Sequence, residues 1–206
     1  MQGRYACCEF DQRYYRNHGI RWKITESFLR SSDWVIERVA SRLPIAGVDL
    51  GDWTPLTKRI EEVLQCRVCN TAFDFDAPTL EWQVKCAEGT STDTDMFDFL
   101  CLFEVLEHLM NPLNFLRSCR EHLKRDGRLF LSTPLGKPRF LWWEHHFHEM
   151  YLPELLDLLK AAGFSAKRME ICRIRPWGFY LKGIRPLLRF FLEKTVLIEA
   201  VPVRPS

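Results

Sequence analysis

Two short stretches of this chain concentrate side chains that can do chemistry. In the first, Glu104, Glu107 and His108 stand at i, i+3 and i+4, a spacing that would bring all three to one helical face. Two carboxylates and an imidazole can hold a cation or move protons. Their order, however, is neither the HExxH nor the HxxEH of zinc proteases. A metal is therefore not expected here, and Glu107 and His108 are read as bracing a turn by hydrogen bonds. The second stretch is His145-His146-Phe-His148-Glu149. This cluster could bind a metal or act on protons; imidazoles titrate near neutrality, so His145 and His148 are the candidate general bases. The alternative is a plain lead-in to the next helix, with Glu149 near its positive end.

Two further segments carry carboxylates beside turns. Asp49-Leu-Gly51-Asp-Trp53-Thr54-Pro55 combines an acid, a glycine and a helix start. Such a turn lets backbone approach a ligand while the helix N-terminus supplies donors. Asp74-Phe-Asp76 closes an apolar run, a place where a carboxylate can accept ribose hydroxyls or simply begin a solvated loop.

The elements needed to position these residues can be read from periodicity. Ile45–Asp49, Arg67–Phe73, Gln83–Ala87, Phe97–Phe103 and Arg128–Ser132 read as strands, with later ones at Ser165–Arg173 and Thr195–Val201. Helical spacing is carried by Val35, Ile36, Val39 and Leu43, by Leu56, Ile60, Val63 and Leu64, and by Phe115, Leu116, Cys119 and Leu123. Thr54-Pro55 and Asn111-Pro112 begin two of these helices, and Asp126-Gly127 is expected to stop the second. Leu152–Ala162, ended by Gly163, and Ile184–Leu192 complete the set. Alternating strands and helices predict an α/β fold with a mostly parallel sheet covered on both faces. Ligands of such sheets bind beyond the carboxyl ends of the strands, where strand order reverses. That rule selects the segments after Asp49, Asp74 and Phe103.

The run Phe97-Asp-Phe-Leu-Cys-Leu-Phe-Glu104-Val-Leu-Glu107-His108-Leu-Met-Asn-Pro112 resembles the signature after the fourth strand of class I S-adenosylmethionine-dependent methyltransferases. Leu131-Ser-Thr-Pro134, the run from His145 to Glu149 and Ala162-Gly163-Phe164 follow in the same order, so the resemblance covers about residues 45 to 201. It is similar above all to the small-molecule group that includes the ubiquinone and menaquinone biosynthesis enzymes. The resemblance implies a Rossmann-like methyltransferase fold: a seven-stranded sheet, helices on both faces and the last strand antiparallel. It implies S-adenosylmethionine as cofactor and a small-molecule acceptor methylated on O, N or C. By position, Asp49 and Gly51 would face the methionine part, Asp74 the ribose, and Glu104 the meeting point of cofactor and acceptor. This chain departs from the family pattern at Trp53 and Pro55, which replace two glycines of the first turn. Cys86 stands where an acidic residue is usual, with Glu88 two positions on. These departures motivate the alternative of a methyltransferase-like binding or scaffold protein without catalysis. No GxGxxG follows the first strand, which disfavours a nicotinamide-dependent dehydrogenase.

Length and composition set the frame. The 206 residues suit one domain over 1–206, with a helical segment over 1–44 and the core over 45–206. A net charge of +2 gives no reason to expect nucleic acid. The first twenty residues lack a signal-peptide pattern and no stretch reaches the roughly 20 apolar residues of a membrane span, so a soluble, cytoplasmic protein with reduced thiols is expected. Eight cysteines form no zinc framework; Cys66-Arg-Val-Cys69 has no second pair at the usual distance. The basic C-terminal region, Lys167, Arg168, Arg173, Arg175, Lys182, Arg185 and Arg189, either contacts an anionic membrane surface, binds an acidic substrate or is a solvated face. Oligomeric state is not legible.

Overall fold

Local signals in the chain fix most of the element boundaries. Helix α1 (Gln12–Arg30) is largely polar, yet Trp22, Thr25, Phe28 and Leu29 fall on one side and are buried. Helix α2 (Asp33–Ser41) is capped by the Ser32 hydroxyl, which accepts from the Val35 amide. Strand β1 (Gly47–Asp49) leads into α3 (Pro55–Leu64). There Thr54 and Thr57 form a reciprocal capping box and Pro55 occupies the first turn. Strands β2 (Val68–Thr71) and β3 (Val84–Lys85) are short, whereas β4 (Phe97–Phe103) is an apolar run buried almost throughout. Helix α4 (Pro112–Glu121) starts at an Asn111 cap. Strand β5 (Leu123–Pro134), helix α5 (Leu152–Ala161) and strand β6 (Phe164–Cys172) follow. Helices α6 (Trp177–Tyr180) and α7 (Ile184–Leu192) precede β7 (Thr195–Pro202). The computed structural model describes residues 12–51, 53–71, 84–85, 96–175, 177–181 and 183–203.

The strands form one sheet of seven in the order β3-β2-β1-β4-β5-β7-β6; β3 contributes only two residues, and the other six strands carry the architecture. β1 pairs in parallel with β2 and β4, and β4 with β5. β7 inserts antiparallel between β5 and β6. The sheet is mostly parallel with its last strand antiparallel, as expected, and β3 also runs antiparallel to β2. Only twelve residues separate Thr71 from Val84, close to the minimum for a helical crossover, and an antiparallel return needs fewer.

Central strands are apolar on both faces because both are covered. On one face Leu100 and Leu102 of β4, Leu129 and Leu131 of β5, and Val196 and Ile198 of β7 pack with Phe115 and Leu116 of α4 and Leu155 and Leu159 of α5. On the other, Phe99, Cys101, Phe130 and Leu197 meet Trp22 and Phe28 of α1, Trp34 of α2 and Ile60 and Leu64 of α3. Gly47 is required by this second layer: a Cβ there would lie 2.2 Å from the Phe99 ring.

Two local expectations change. Helix α4 ends at Glu121 rather than at Asp126-Gly127, and β5 already begins at Leu123. Between Phe97 and Phe99 the pairing jumps from Leu123 to Arg128, so Asp126-Gly127 sits in an excursion of the strand. That excursion has a use, since the Asp126 carbonyl accepts from the Trp34 indole (3.1 Å) and its carboxylate pairs with Arg38. Among the described cysteines, Cys66, Cys101, Cys119 and Cys172 are free thiols, whereas Cys69 is disulfide-bonded, contrary to the expectation of reduced thiols. Among the described residues, no helix is long and apolar enough to cross a membrane.

Candidate active site

Strand order reverses between β1 and β4, and a cavity of about 580 Å³ opens at their carboxyl ends. Asp49, Gly51, Glu104, His108 and His146 are among its walls. Asp49 is buried, and Thr57, the second member of the α3 capping box, donates to its Oδ2 at 2.6 Å. Burial pushes the Asp49 carboxyl up to about 6, against the pull of its hydrogen bonds. Gly51 has φ +137, a region closed to residues with a Cβ. The Asn70 amide donates to the carbonyls of Asp49 (3.3 Å) and Gly51 (3.4 Å), which holds the turn from β2. Trp53, at a glycine position of the family pattern, is partly exposed at the surface.

Glu104 ends β4 with φ +57, a left-handed conformation that a non-glycine residue rarely adopts. Its carboxylate is held from two directions. Arg21 of α1 pairs with Oε2 at 3.2 Å, and the Ser132 hydroxyl of β5 donates to Oε1 at 2.9 Å. Arg21 also donates to His18 Nδ1 at 2.9 Å. Burial, followed by the Arg21 charge, lowers the His18 imidazole to about 4, so it is neutral and accepts this bond. The N-terminal helix thus supplies a wall of the cavity through His18 and Arg21.

The next turn, Leu106–His108, carries the second acid. Glu107 is fully enclosed and accepts from the Thr133 hydroxyl at 3.2 Å. Burial raises its carboxyl well above the usual range, and the Glu104 charge adds to the rise. The Glu107 backbone carbonyl accepts the amides of Phe147 (2.9 Å) and His148 (3.2 Å). This anchors the histidine-rich segment under β4.

That anchor decides which imidazoles meet. His108 Nδ1 donates to the His145 carbonyl at 2.8 Å, and His146 Nδ1 lies 2.7 Å from Glu149 Oε1. The two rings stand edge to face, 4.9 Å apart. Glu149 also pairs with Lys137, and both of these side chains are fully buried. With each Nδ1 committed as a donor, the acceptor nitrogen of both rings is Nε2. Burial lowers the His108 pKa, so that ring is neutral at pH 7. Donor atoms of Glu107, His108 and His146 lie within 4.8 Å of one another. Within this group the Glu107 carboxyl also takes the Thr133 hydroxyl, and the His108 ring holds the His145 carbonyl, so both side chains tie the turn to its neighbours.

Of the sequence candidates, Asp49, Gly51 and Glu104 come together around this cavity. Asp74, with Asp76, Cys86 and Glu88, lies outside the described residues. His145 lines a second cavity of about 640 Å³, and His148 lines neither. The second cavity has aromatic walls, Trp142, Trp143 and Phe179, with Pro186 and Arg189. His108, Trp143 and His146 belong to both cavities and form the partition between them. Lys137, His18 and Arg21 were missed, and His146 was named within its cluster but not singled out. His146 carried a signal in the density of imidazoles and acids at 145–149; Lys137, His18 and Arg21 carried none, and α1 reaches Glu104 across 83 residues of sequence.

The sequence model of one family, described as a methyltransferase domain, matches residues 32–168, more than half of the chain. Relatives described as ubiquinone biosynthesis O-methyltransferases include that of Glaesserella parasuis serovar 5, 52% identical over 42 residues (20% of this chain, 18% of the relative). That of Cereibacter sphaeroides strain ATCC 17023 is 31% identical over 103 residues, 42% of each chain. The matched region therefore spans less than half of these relatives. Among solved structures, the 1,6-didemethyltoxoflavin-N1-methyltransferase of Burkholderia thailandensis, bound to S-adenosylhomocysteine, superposes with a TM-score of 0.58 at 18% identity. It covers 89% of this chain and 78% of that one. The cyclopropane synthase MmaA2 of Mycobacterium tuberculosis gives 0.57 at 13% identity, covering 82% of each chain. The fold is shared with these structures, and by its sequence the chain belongs to the methyltransferase-domain family.

Proposed function

We propose that this protein transfers a methyl group from S-adenosylmethionine to a hydroxyl of a small, largely apolar acceptor. The observation that carries the reading is the pair of cavities that meet at His108 and His146. Their volumes lie within the range of small-molecule sites. The family and the solved neighbour with S-adenosylhomocysteine point to S-adenosylmethionine as the methyl donor. The first cavity fits this group: at Gly51 a Cβ would find only Val105 Cγ2, at 3.7 Å, so a ligand can lie against bare backbone. Asp49 and Glu104 would hold its amino-acid part, with Gly51 at the turn, and Asp74 is the proposed ribose contact. When bound, it supplies an electrophilic methyl on a positively charged sulfur.

The protein's own contribution is position and proton transfer. Trp142, Trp143 and Phe179 give the second cavity flat apolar walls that would orient an aromatic acceptor. A hydroxyl presented to the partition must lose its proton as the new bond forms. His146 Nε2 is the proposed acceptor of that proton, since Glu149 fixes the opposite edge of the ring and Lys137 holds Glu149 in turn. His145 and His148, the bases expected from spacing, flank it. Holding the two reactants aligned supplies the rest of the rate.

Isothermal titration with S-adenosylmethionine and S-adenosylhomocysteine tests the first half, and methyl-labelled donor with catechol as probe tests the second. We expect micromolar binding of both ligands. His146→Ala should keep that affinity and lower methyl transfer by about 10²-fold or more. No binding at millimolar ligand would overturn the assignment. A second reading, a binding protein of this fold without transfer, is favoured by Trp53 and Pro55 in the first turn. Binding with no labelled product from any phenol, amine or thiol probe would select it.

A further inference from the structure

Helix α7 is inside out. Ile184, Leu187, Leu188 and Phe191 repeat at i, i+3, i+4 and i+7, the spacing of a core-facing stripe, yet all four point to solvent, Ile184 at 81% and Phe191 at 62% exposure. Trp177 of α6 and Leu181 beside it are equally open, at 65% and 69%. Trp177 packs edge-on against Phe190, 5.0 Å between ring centroids, which joins α6 to the α7 face. The inward side is the polar one. Arg189 is buried, pairs with Glu193 at 2.8 Å, donates to the Leu141 carbonyl at 2.8 Å and lies over the Trp143 ring at 4.6 Å. The helix is therefore fixed to the body by satisfied charges while its apolar stripe has no cover among the described residues.

Charge says what the cover is. Residues 173–194 hold six basic residues, Arg173, Arg175, Lys182, Arg185, Arg189 and Lys194, against the single acid Glu193. Glu193 already serves Arg175 and Arg189. An uncovered apolar helix with an aromatic at the border and surplus cations around it is the pattern of an interfacial helix, not of a dimer seam, which would bring like charges together. We infer that the α6–α7 hairpin docks on an anionic lipid surface, with Trp177, Ile184, Leu187, Leu188 and Phe191 entering the headgroup–acyl boundary and the basic residues not taken up by Glu193 meeting lipid phosphates. The inference does not depend on methyl transfer.

Vesicle co-sedimentation of the full chain tests it, with phosphatidylcholine vesicles and vesicles enriched in phosphatidylglycerol. The protein should pellet with the anionic vesicles, be released as salt rises, and stay in solution with phosphatidylcholine alone. The double substitution Ile184→Ser, Phe191→Ser should lower vesicle affinity at least about tenfold with an unchanged Tm and circular dichroism spectrum, because both side chains are solvent-facing. Failure to pellet with anionic vesicles would overturn the inference, as would equal pelleting of the double variant. Sedimentation velocity showing a dimer that the double substitution abolishes, without vesicle binding, would assign the face to a second copy and overturn it too.

Discussion

Helices α3 and α7 are nearly equal in length and both carry an apolar stripe at helical spacing, but they use it in opposite ways. In α3, Leu56, Ile60, Val63 and Leu64 enter the layer shared with α1, α2 and the sheet. In α7 the stripe faces outward and the helix is held by Arg189 and Glu193. Amphipathicity thus says that a helix has an apolar face to cover, and only the remaining contacts say where the cover lies. For α3 it is the protein's own core. For α7 the attachment is electrostatic, so the apolar face remains available.

The contrast can be sharpened by substitution. Ile60→Ala in α3 should have the largest effect, a loss of about 3 kcal/mol in urea unfolding, because a fully buried side chain leaves a cavity under the sheet. A loss below about 1 kcal/mol would mean that α3 is no more embedded than α7. Arg189→Met should cost less, about 2 kcal/mol, since Glu193 would keep Arg175 at 3.4 Å while the Leu141 carbonyl loses its donor. No change would show that α7 is attached by its aromatic contacts instead.

In pH dependence the two halves of the first cavity have opposite signs. His18 has a folded pKa of about 4, below its ordinary 6.5. Its contribution to stability is complete above pH 6.5 and is lost as pH falls through 4. Asp49 has a folded pKa of about 6, above its ordinary 3.8. Its contribution is complete below pH 3.8 and is lost as pH rises through 6. Thermal unfolding of His18→Gln should therefore weaken the decline on the acid side, and Asp49→Asn should weaken the decline toward neutrality. The same slope in both variants and the parent would remove either assignment.

Much of this arrangement was legible in the sequence. The β4 strand was readable to the residue because seven largely apolar positions run between a polar stretch of sequence and Glu104. The start of α3 was equally plain, since Thr54-Pro55 both caps and pre-shapes a first turn. The end of α4 was misplaced because Asp-Gly is a turn signal in a helix and in a strand excursion alike, and only the pairing of β5 with β4 separates them. Helix α1 gave a weak pattern because few apolar residues point inward and its key contacts are ion pairs to distant elements. At the site, spacing singled out the histidine segment but not the member that turns inward. That choice is made by the Glu107 carbonyl, which pins Phe147 and His148 and leaves His146 facing His108. Backbone tethers of this kind have no sequence period.

The backbone of Glu104 has one more consequence. A left-handed glutamate costs on the order of 1 kcal/mol that glycine would not incur. Glu104→Gly would relieve that strain while releasing both Arg21 and Ser132. A more relaxed main chain and an N-terminal helix that has lost its tie to the cavity would then arrive in the same variant. Fold robustness and site integrity are set against each other at this single position, so a screen for thermal tolerance alone would tend to discard the side chain that ties α1 to the cavity.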